Sequence, residues 1–224
     1  MADGVRVMME QGKKRAVASA FDWPGWDRNS KTEELVLEKL ELYRPRYAKV
    51  AALAGLAQEF DASGALTVVE RVDGGPSTDF HGVSVKTAAA ELEQMSETEC
   101  ERKLALLWGC WKYFDDVAAR VSEELRKGPR GGGKDRSRIM QHTIGHEMED
   151  LAANVGVKTT WELWNVPAEV QAHRERFAEA IRDYSSRGEM ARKWTVQFLI
   201  RRCAYHMLDH AWEMEDRDQS GEGA

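Results

Sequence analysis

Two histidines near the C-terminal end of the sequence have the spacing of a metal-binding pair. His206 and His210 lie four residues apart in a segment whose apolar residues recur with helical periodicity. On a helix their side chains would lie on one face, about 40° apart around the axis, where two imidazoles can share one ion. Such a pair is also common on the exposed face of a long helix, so a third ligand has to decide between these interpretations.

His142 and His146 are the candidates for a third ligand, because they lie on another predicted helix that must pack beside the last one in a compact arrangement. Imidazoles that meet on one side of an ion suit Zn, Ni or Fe(II). Three protein ligands leave positions open for water or substrate, which is typical of a catalytic rather than a structural metal. Water on such an ion becomes acidic enough to act as a nucleophile near neutral pH.

The helices that would position these histidines occupy the second half of the sequence. A capping box, Ser96 with Glu99, precedes the first of four amphipathic segments. The four helices are predicted near residues 96–127, 136–154, 167–187 and 190–217. Helices of this length and number predict a four-helix bundle.

The first half of the sequence has a different pattern, with short strands around one helix. Strands are predicted at residues 4–9, 14–20 and 65–71, and a capping box at Ser30 and Glu33 predicts a helix to about Leu56 that Pro45 interrupts. The fold class is therefore α+β, with a small N-terminal ββαβ element and a C-terminal bundle. We expect domains at 1–84 and 95–218 and a disordered tail at 219–224.

Two segments carry a resemblance to the DinB/YfiT-like family of metal-binding four-helix bundles. The segment 137–147 resembles the second helix of these proteins, in which a ligand histidine precedes a glutamate by five residues. The segment 201–210 resembles their last helix, which contributes a His-x-x-x-His pair. The resemblance covers roughly residues 96–217 and depends on three histidines in the right order on the right helices.

The resemblance implies that one divalent metal ion is bound by His142, His206 and His210. It leaves out His146, where the family usually has a small residue and where we favour a solvent-facing or supporting side chain over a fourth ligand. It implies a catalytic role for Glu147, through a hydrogen bond to a ligand imidazole or to water on the ion, although a plain surface carboxylate is the alternative.

Three residues close to the histidine pair have open roles. Glu213 is the better candidate to support a ligand imidazole, whereas Asp209 is expected to orient another group, since neighbouring residues on a helix point in different directions. Cys203 is either a small buried side chain, which is commoner, or a group near the metal.

The N-terminal half looks like the small ββαβ element of HicB-type antitoxin domains, by its pattern of a strand hairpin, Phe21–Gly25 and a capped helix. A three-stranded sheet with one covering helix leaves an exposed edge and face. This half could therefore pair strands or present a surface for association.

The resemblance implies a metal-dependent enzyme that hydrolyses a small-molecule substrate or transfers a low-molecular-weight thiol to an electrophile. The same three histidines would serve both reactions, because the ion activates either water or the incoming sulfur. The alternative is a non-catalytic, metal-stabilised interaction protein in which the bundle forms a homodimer. An open pocket at the ion would favour the enzyme, and a site sealed by protein would favour the alternative.

The composition excludes several other classes of protein. The 224 residues carry a formal net charge of −6, so no domain-wide positive field favours nucleic acid. No apolar run is long enough to span a membrane, and the charged N-terminus lacks the apolar stretch of a signal peptide. Three cysteines with no paired spacing indicate thiols in a reducing compartment. We therefore expect a cytoplasmic protein.

Overall fold

The computed structural model describes residues 4–128 and 133–221, and it has a mixed α+β fold. The described strands are β1 (Val5–Gln11), β2 (Ala16–Ser19), β3 (Asp27–Ser30) and β4 (Leu66–Asp73). The described α-helices are α1 (Glu33–Leu42), α2 (Arg44–Leu53), α3 (Ala57–Asp61), α4 (Pro76–His81), α5 (Glu97–Arg120), α6 (Arg136–His146), α7 (Pro167–Ser186) and α8 (Val196–Asp216).

The strands form one sheet in the order β3-β2-β1-β4. Strand β2 is antiparallel to both its neighbours, and β4 is parallel to β1 after a crossover through α1 to α3. The prediction of a ββαβ element is therefore wrong in one respect, because the structure contains an additional strand, β3, that was not predicted. The strand Asp27–Ser30 contains no β-branched or aromatic residue, and it exists because β2 supplies its hydrogen-bond partners.

The helix predicted from Ser30 to Leu56 is divided into shorter helices. Its first cap is Thr32 rather than Ser30, since the Thr32 side chain accepts a hydrogen bond from the Leu35 N–H. Helix α1 ends at Leu42, and α2 begins at Arg44 with Pro45 in its first turn. The predicted interruption at Pro45 is confirmed, because proline fits the first turn of a helix and not its interior.

The second half contains the four long helices that the sequence predicts, with changed ends. Ser96 caps α5 as expected, by accepting a hydrogen bond from the Glu99 N–H. The second predicted helix ends early, because α6 gives way to a π-helical turn (Glu147–Leu151) and a 3₁₀ turn (Ala152–Val155). The last helix begins at Val196, six residues later than predicted. Helix α5 packs against α7 and α8, and α6 packs against α8.

The sheet and the long helices contribute to one hydrophobic core. Val7 in β1, Trp26, Trp111 in α5 and Met207 in α8 belong to the same buried cluster. The division into domains at 1–84 and 95–218 stays a prediction, and residues 222–224 of the predicted tail lie outside the described residues. Among the described helices, none is both long and apolar enough to cross a membrane.

A buried arginine fixes α8 against the sheet. The Arg201 guanidinium donates two hydrogen bonds to the Glu91 carboxylate, at 2.7 and 2.9 Å, and both side chains are almost fully buried. It also donates to the Ser19 hydroxyl at the end of β2, at 3.1 Å. These bonds set the position of the helix that carries two of the three predicted ligands.

Candidate metal centre

Helices α6 and α8 bring the three predicted ligands together. One ring nitrogen from each of His142, His206 and His210 lies within 4.8 Å of the others. The ring centroids are 5.2 Å apart for His142 and His206, 5.1 Å for His142 and His210, and 4.9 Å for His206 and His210. Three imidazoles at this spacing can share a small cation.

A carboxylate orients the imidazole of His210. The Glu213 carboxylate lies 2.9 Å from Nδ1 of His210, and the Arg217 guanidinium donates to the other Glu213 oxygen at 2.6 Å. A proton on Nδ1 leaves the lone pair of Nε2 free for an ion, which is the usual arrangement of a metal-ligating histidine. The expected contact between Glu213 and the histidine pair is therefore present.

His206 is the most enclosed of the three histidines. Its side chain is only 9% exposed, and its Nδ1 atom is buried with no hydrogen-bond partner. Within the described ranges no hydrogen bond involves His206 or His142. Because an unpaired buried polar group costs free energy, an imidazole without protein partners in a cluster of imidazoles fits the donor set of a metal ion.

The surroundings of His142 and His206 favour the neutral form of both imidazoles. Burial lowers the pKa of His142 to about 4, and the charges of Lys134 and the neighbouring histidines act in the same direction. Burial also places the pKa of His206 well below its ordinary value, assisted by His210 and His146. Neutral imidazoles offer a lone pair at neutral pH, which metal binding requires.

His146 lies beside the cluster without belonging to it. Its ring centroid is 4.9 Å from that of His206, and its Nδ1 atom is 2.7 Å from the Asp150 carboxylate. The side chain is about one-third exposed. His146 is therefore partly exposed and bound to a carboxylate, and its supporting role stays a prediction.

Glu147 occupies a different environment from the one expected. It is fully buried, so the interpretation as a surface carboxylate is wrong. It accepts hydrogen bonds from the Trp111 indole, from the Cys203 thiol at 3.3 Å and from Arg174 at 3.4 Å. Burial raises its pKa, which the charge of Arg174 opposes.

Helix geometry explains why Glu147 points away from the three histidines. Five residues separate it from His142, and at 3.6 residues per turn this places its side chain about 140° around the axis. In the described part of the chain none of its hydrogen bonds reaches His142, His206 or His210, and the histidine beside it is His173, whose Nε2 atom is 3.9 Å from the carboxylate. A catalytic role for Glu147 stays a prediction, and Cys203 is buried, as the commoner interpretation has it.

Asp209 is directed away from the histidine cluster. Its carboxylate lies 3.3 Å from the Arg28 guanidinium, which packs against the rings of Tyr43 and Trp212 at 4.2 Å from each centroid. The expectation that Asp209 orients another group is therefore met. The contact joins α8 to strand β3 and contributes to fixing the helix.

An open cleft of about 660 Å³ adjoins the cluster at His142. Its wall includes His146, Gly145 and the Trp161 side chain, which is 37% exposed. Its remaining lining is polar and charged: Lys134, Arg138, Gln141, Glu149 and Asp150. A small molecule can therefore approach His142 from solvent.

Sequence reasoning missed three residues around this centre. Arg217 and Asp150 each lie four residues after their partners Glu213 and His146, a spacing that identifies helical ion pairs and could have found them. Trp161 belongs to a 3₁₀ turn (Trp161–Asn165) that packs on α6. No local signal in the sequence predicts that contact.

Comparisons of the chain with protein-family models, with curated proteins and with solved structures find no match. The resemblance to DinB/YfiT-like proteins therefore depends on the histidine positions and on the two helices that carry them.

Proposed function

We propose that the chain is a metal-dependent enzyme of the DinB/YfiT type, in which α5 to α8 form the bundle. His142, His206 and His210 hold one divalent ion, which is Zn, Ni or Fe. The observation that carries the proposal is the convergence of three ring nitrogens within 4.8 Å, two of them on imidazoles that form no protein hydrogen bond in the described ranges. The set of three imidazole nitrogen donors suits these metals.

The reaction that we propose is hydrolysis of a small molecule or transfer of a low-molecular-weight thiol. When bound, the ion supplies Lewis-acid activation of water or of a thiol. The residues of the chain hold and orient the site: Glu213 fixes the ring of His210, and the core around His206 excludes water. The cleft at His142 gives a substrate access.

The cleft is also the observation that favours an enzyme over a non-catalytic, metal-stabilised interaction protein. A structural metal site is closed by protein ligands, whereas a catalytic one keeps a position open. His142 is exposed to solvent and lines the cleft. A homodimer is compatible with either function, and sedimentation of the metal-loaded protein would measure it.

Metal analysis of purified protein tests the centre directly. We expect about one equivalent of metal in the native chain and a large loss in His142→Ala and His206→Ala. His81→Ala is the matched control, because His81 is an exposed histidine on α4. Equal metal content in the native chain and in both cluster variants would end the proposal.

Activity assays separate the two functions once metal binding is established. Thiols with a model electrophile, and model esters and amides for hydrolysis, are compared between the native protein and His206→Ala. Turnover that depends on His206 supports the enzyme. Metal binding with no turnover above the variant in either assay would favour the non-catalytic alternative.

A further inference from the structure

The face of α6 that lines the cleft carries charges in an ordered row. Arg138, His142 and His146 follow one another at intervals of four residues along one side of α6, and Asp150 lies in the π-helical turn that follows, with its carboxylate 2.7 Å from the His146 ring. Basic residues precede the histidines and acidic residues follow them. The cleft therefore has a cationic end, a central pair of histidines and an anionic end.

The charged groups at both ends are available to a ligand. In the described ranges, the Lys134 ammonium and the Glu149 carboxylate form no hydrogen bond or ion pair. Arg138 uses one guanidinium nitrogen to reach Gln141, at 3.2 Å, and Asp150 pairs with His146. Each end thus keeps at least one charge without a protein partner, between walls that include the Trp161 ring.

The length of the row limits the size of a ligand that reaches both ends. Arg138 and Glu149 are eleven residues apart in the sequence, which corresponds to about 16 Å along a helix axis. An extended peptide covers about 3.3–3.6 Å per residue. Four or five peptide units therefore match the distance between the ends, and the middle of such a molecule would lie beside His142.

We propose that the cleft binds a short peptide or a peptide-like dipolar molecule. Its carboxylate pairs with Lys134 and Arg138, and its ammonium group pairs with Glu149 and Asp150. The inference rests on the proposed function, since it names the class of substrate that the histidine centre would receive. Opposite charges at the two ends also reject molecules with only one kind of charge, by like-charge repulsion at the wrong end.

Calorimetric titration of the zinc-loaded protein with alanine peptides tests the inference at low ionic strength. The probes are tetra-alanine with free ends, its N-acetyl form, its C-terminal amide and the form blocked at both ends. We expect each blocked end to weaken binding about two- to fivefold, the effect of one exposed ion pair. A series from two to six alanines should bind best at four or five residues.

Two variants test which end of the cleft binds the carboxylate of the peptide and which end binds its amine. Arg138→Gln should reduce the preference for the free carboxylate and keep the preference for the free amine, and Glu149→Gln should do the reverse. Lys112→Gln is the control, because Lys112 is exposed on α5 and does not line the cleft. Equal affinity for all four tetra-alanine forms, or no measurable binding of any, would overturn the inference.

The same experiment distinguishes this inference from the proposed function. If zinc binds and depends on His206 but the peptides show no preference, only the choice of ligand is wrong. If the protein takes up no zinc, the proposed function fails. The titrations on metal-free protein then still measure whether the charged ends select the dipolar peptide.

Discussion

Hydrogen bonds link the Arg217 guanidinium to Glu213, and Glu213 to the ring of His210. This arrangement predicts how much a substitution of Glu213 should weaken metal binding. Glu213→Gln keeps the size of the side chain and an oxygen that can accept the Nδ1 proton, but it removes the negative charge. The hydrogen bond from His210 lowers the pKa of Glu213, so the carboxylate is ionised at neutral pH and the variant loses a full charge. The neutral amide orients the imidazole less firmly and makes it a weaker donor.

Loss of such a supporting carboxylate typically costs ten- to a hundredfold in metal affinity. We expect Glu213→Gln to lie near tenfold, about 1.4 kcal/mol, because an accepting oxygen is kept. Glu213→Ala should approach a hundredfold, since it also removes the carboxylate that pairs with the Arg217 guanidinium. The side chain is partly exposed, which argues against a larger effect.

The assay is competition for Zn²⁺ between the metal-free protein and a chromophoric chelator near pH 7.5. His210→Ala gives the affinity without the third ligand, and Glu38→Gln, an exposed position on α1, gives the background effect of removing one surface charge. Thermal unfolding of each metal-free variant confirms that the fold is kept. Native affinity in Glu213→Gln, alongside a large loss in His210→Ala, would refute the reasoning.

Further predictions concern the stability of the fold and the effect of displacing Arg217 on zinc affinity. Burial lowers the pKa of His173 to about 4, so the folded state resists a proton that the unfolded chain accepts below about pH 6.5. His173 should therefore contribute about 3 kcal/mol to the loss of unfolding free energy as the pH drops from 6.5 to 4, and denaturant titrations of His173→Asn should show a fall that is smaller by this amount. Arg201→Met leaves the buried carboxylates of Glu91 and Asp27 without their arginine and should cost about 3–5 kcal/mol in chemical unfolding, and the double change with Glu91→Met should restore only the part due to Glu91. Gly133→Ala places a methyl group 2.5 Å from an Arg217 nitrogen at a backbone φ of +130°, so the chelator assay should give a few-fold weaker zinc affinity.

The sequence predicts the histidine centre better than it predicts the surroundings of that centre. His206 and His210 share a face because their spacing is close to one helical turn, and this local rule holds for any α-helix. The contact between α6 and α8 is long-range, and only the need to bury two apolar helix faces indicates it. The surroundings of Glu147 could not be predicted from local sequence, because its side chain is fully buried and bound to residues on three other elements.

Strand β3 and the polar contacts of Arg201 also depend on long-range contacts that sequence patterns do not predict. Asp27 and Arg28 have charged side chains, which are depleted in buried strands, yet both are buried in β3 and paired with Arg201 and Asp209 of α8. Polar residues become buried only where partners from distant segments satisfy them. A pattern of apolar periodicity contains no information about those partners, so the sequence could not predict this strand.

These polar contacts also explain how the N-terminal sheet helps to position the histidines of α8. Three imidazoles do not assemble by themselves, because each loses solvation and side-chain freedom on entering the cluster. Arg201 bonds Ser19 of β2, and Asp209 pairs with Arg28 of β3, so the sheet holds α8 at two points on either side of His206. In the metalloprotein that we propose, a helix anchored in this way would present its histidines before an ion arrives, and the ion would bind without having to order the helix. The sheet supports α8 through these two contacts, and we therefore expect β2 and β3 to contribute to the metal affinity of the proposed centre.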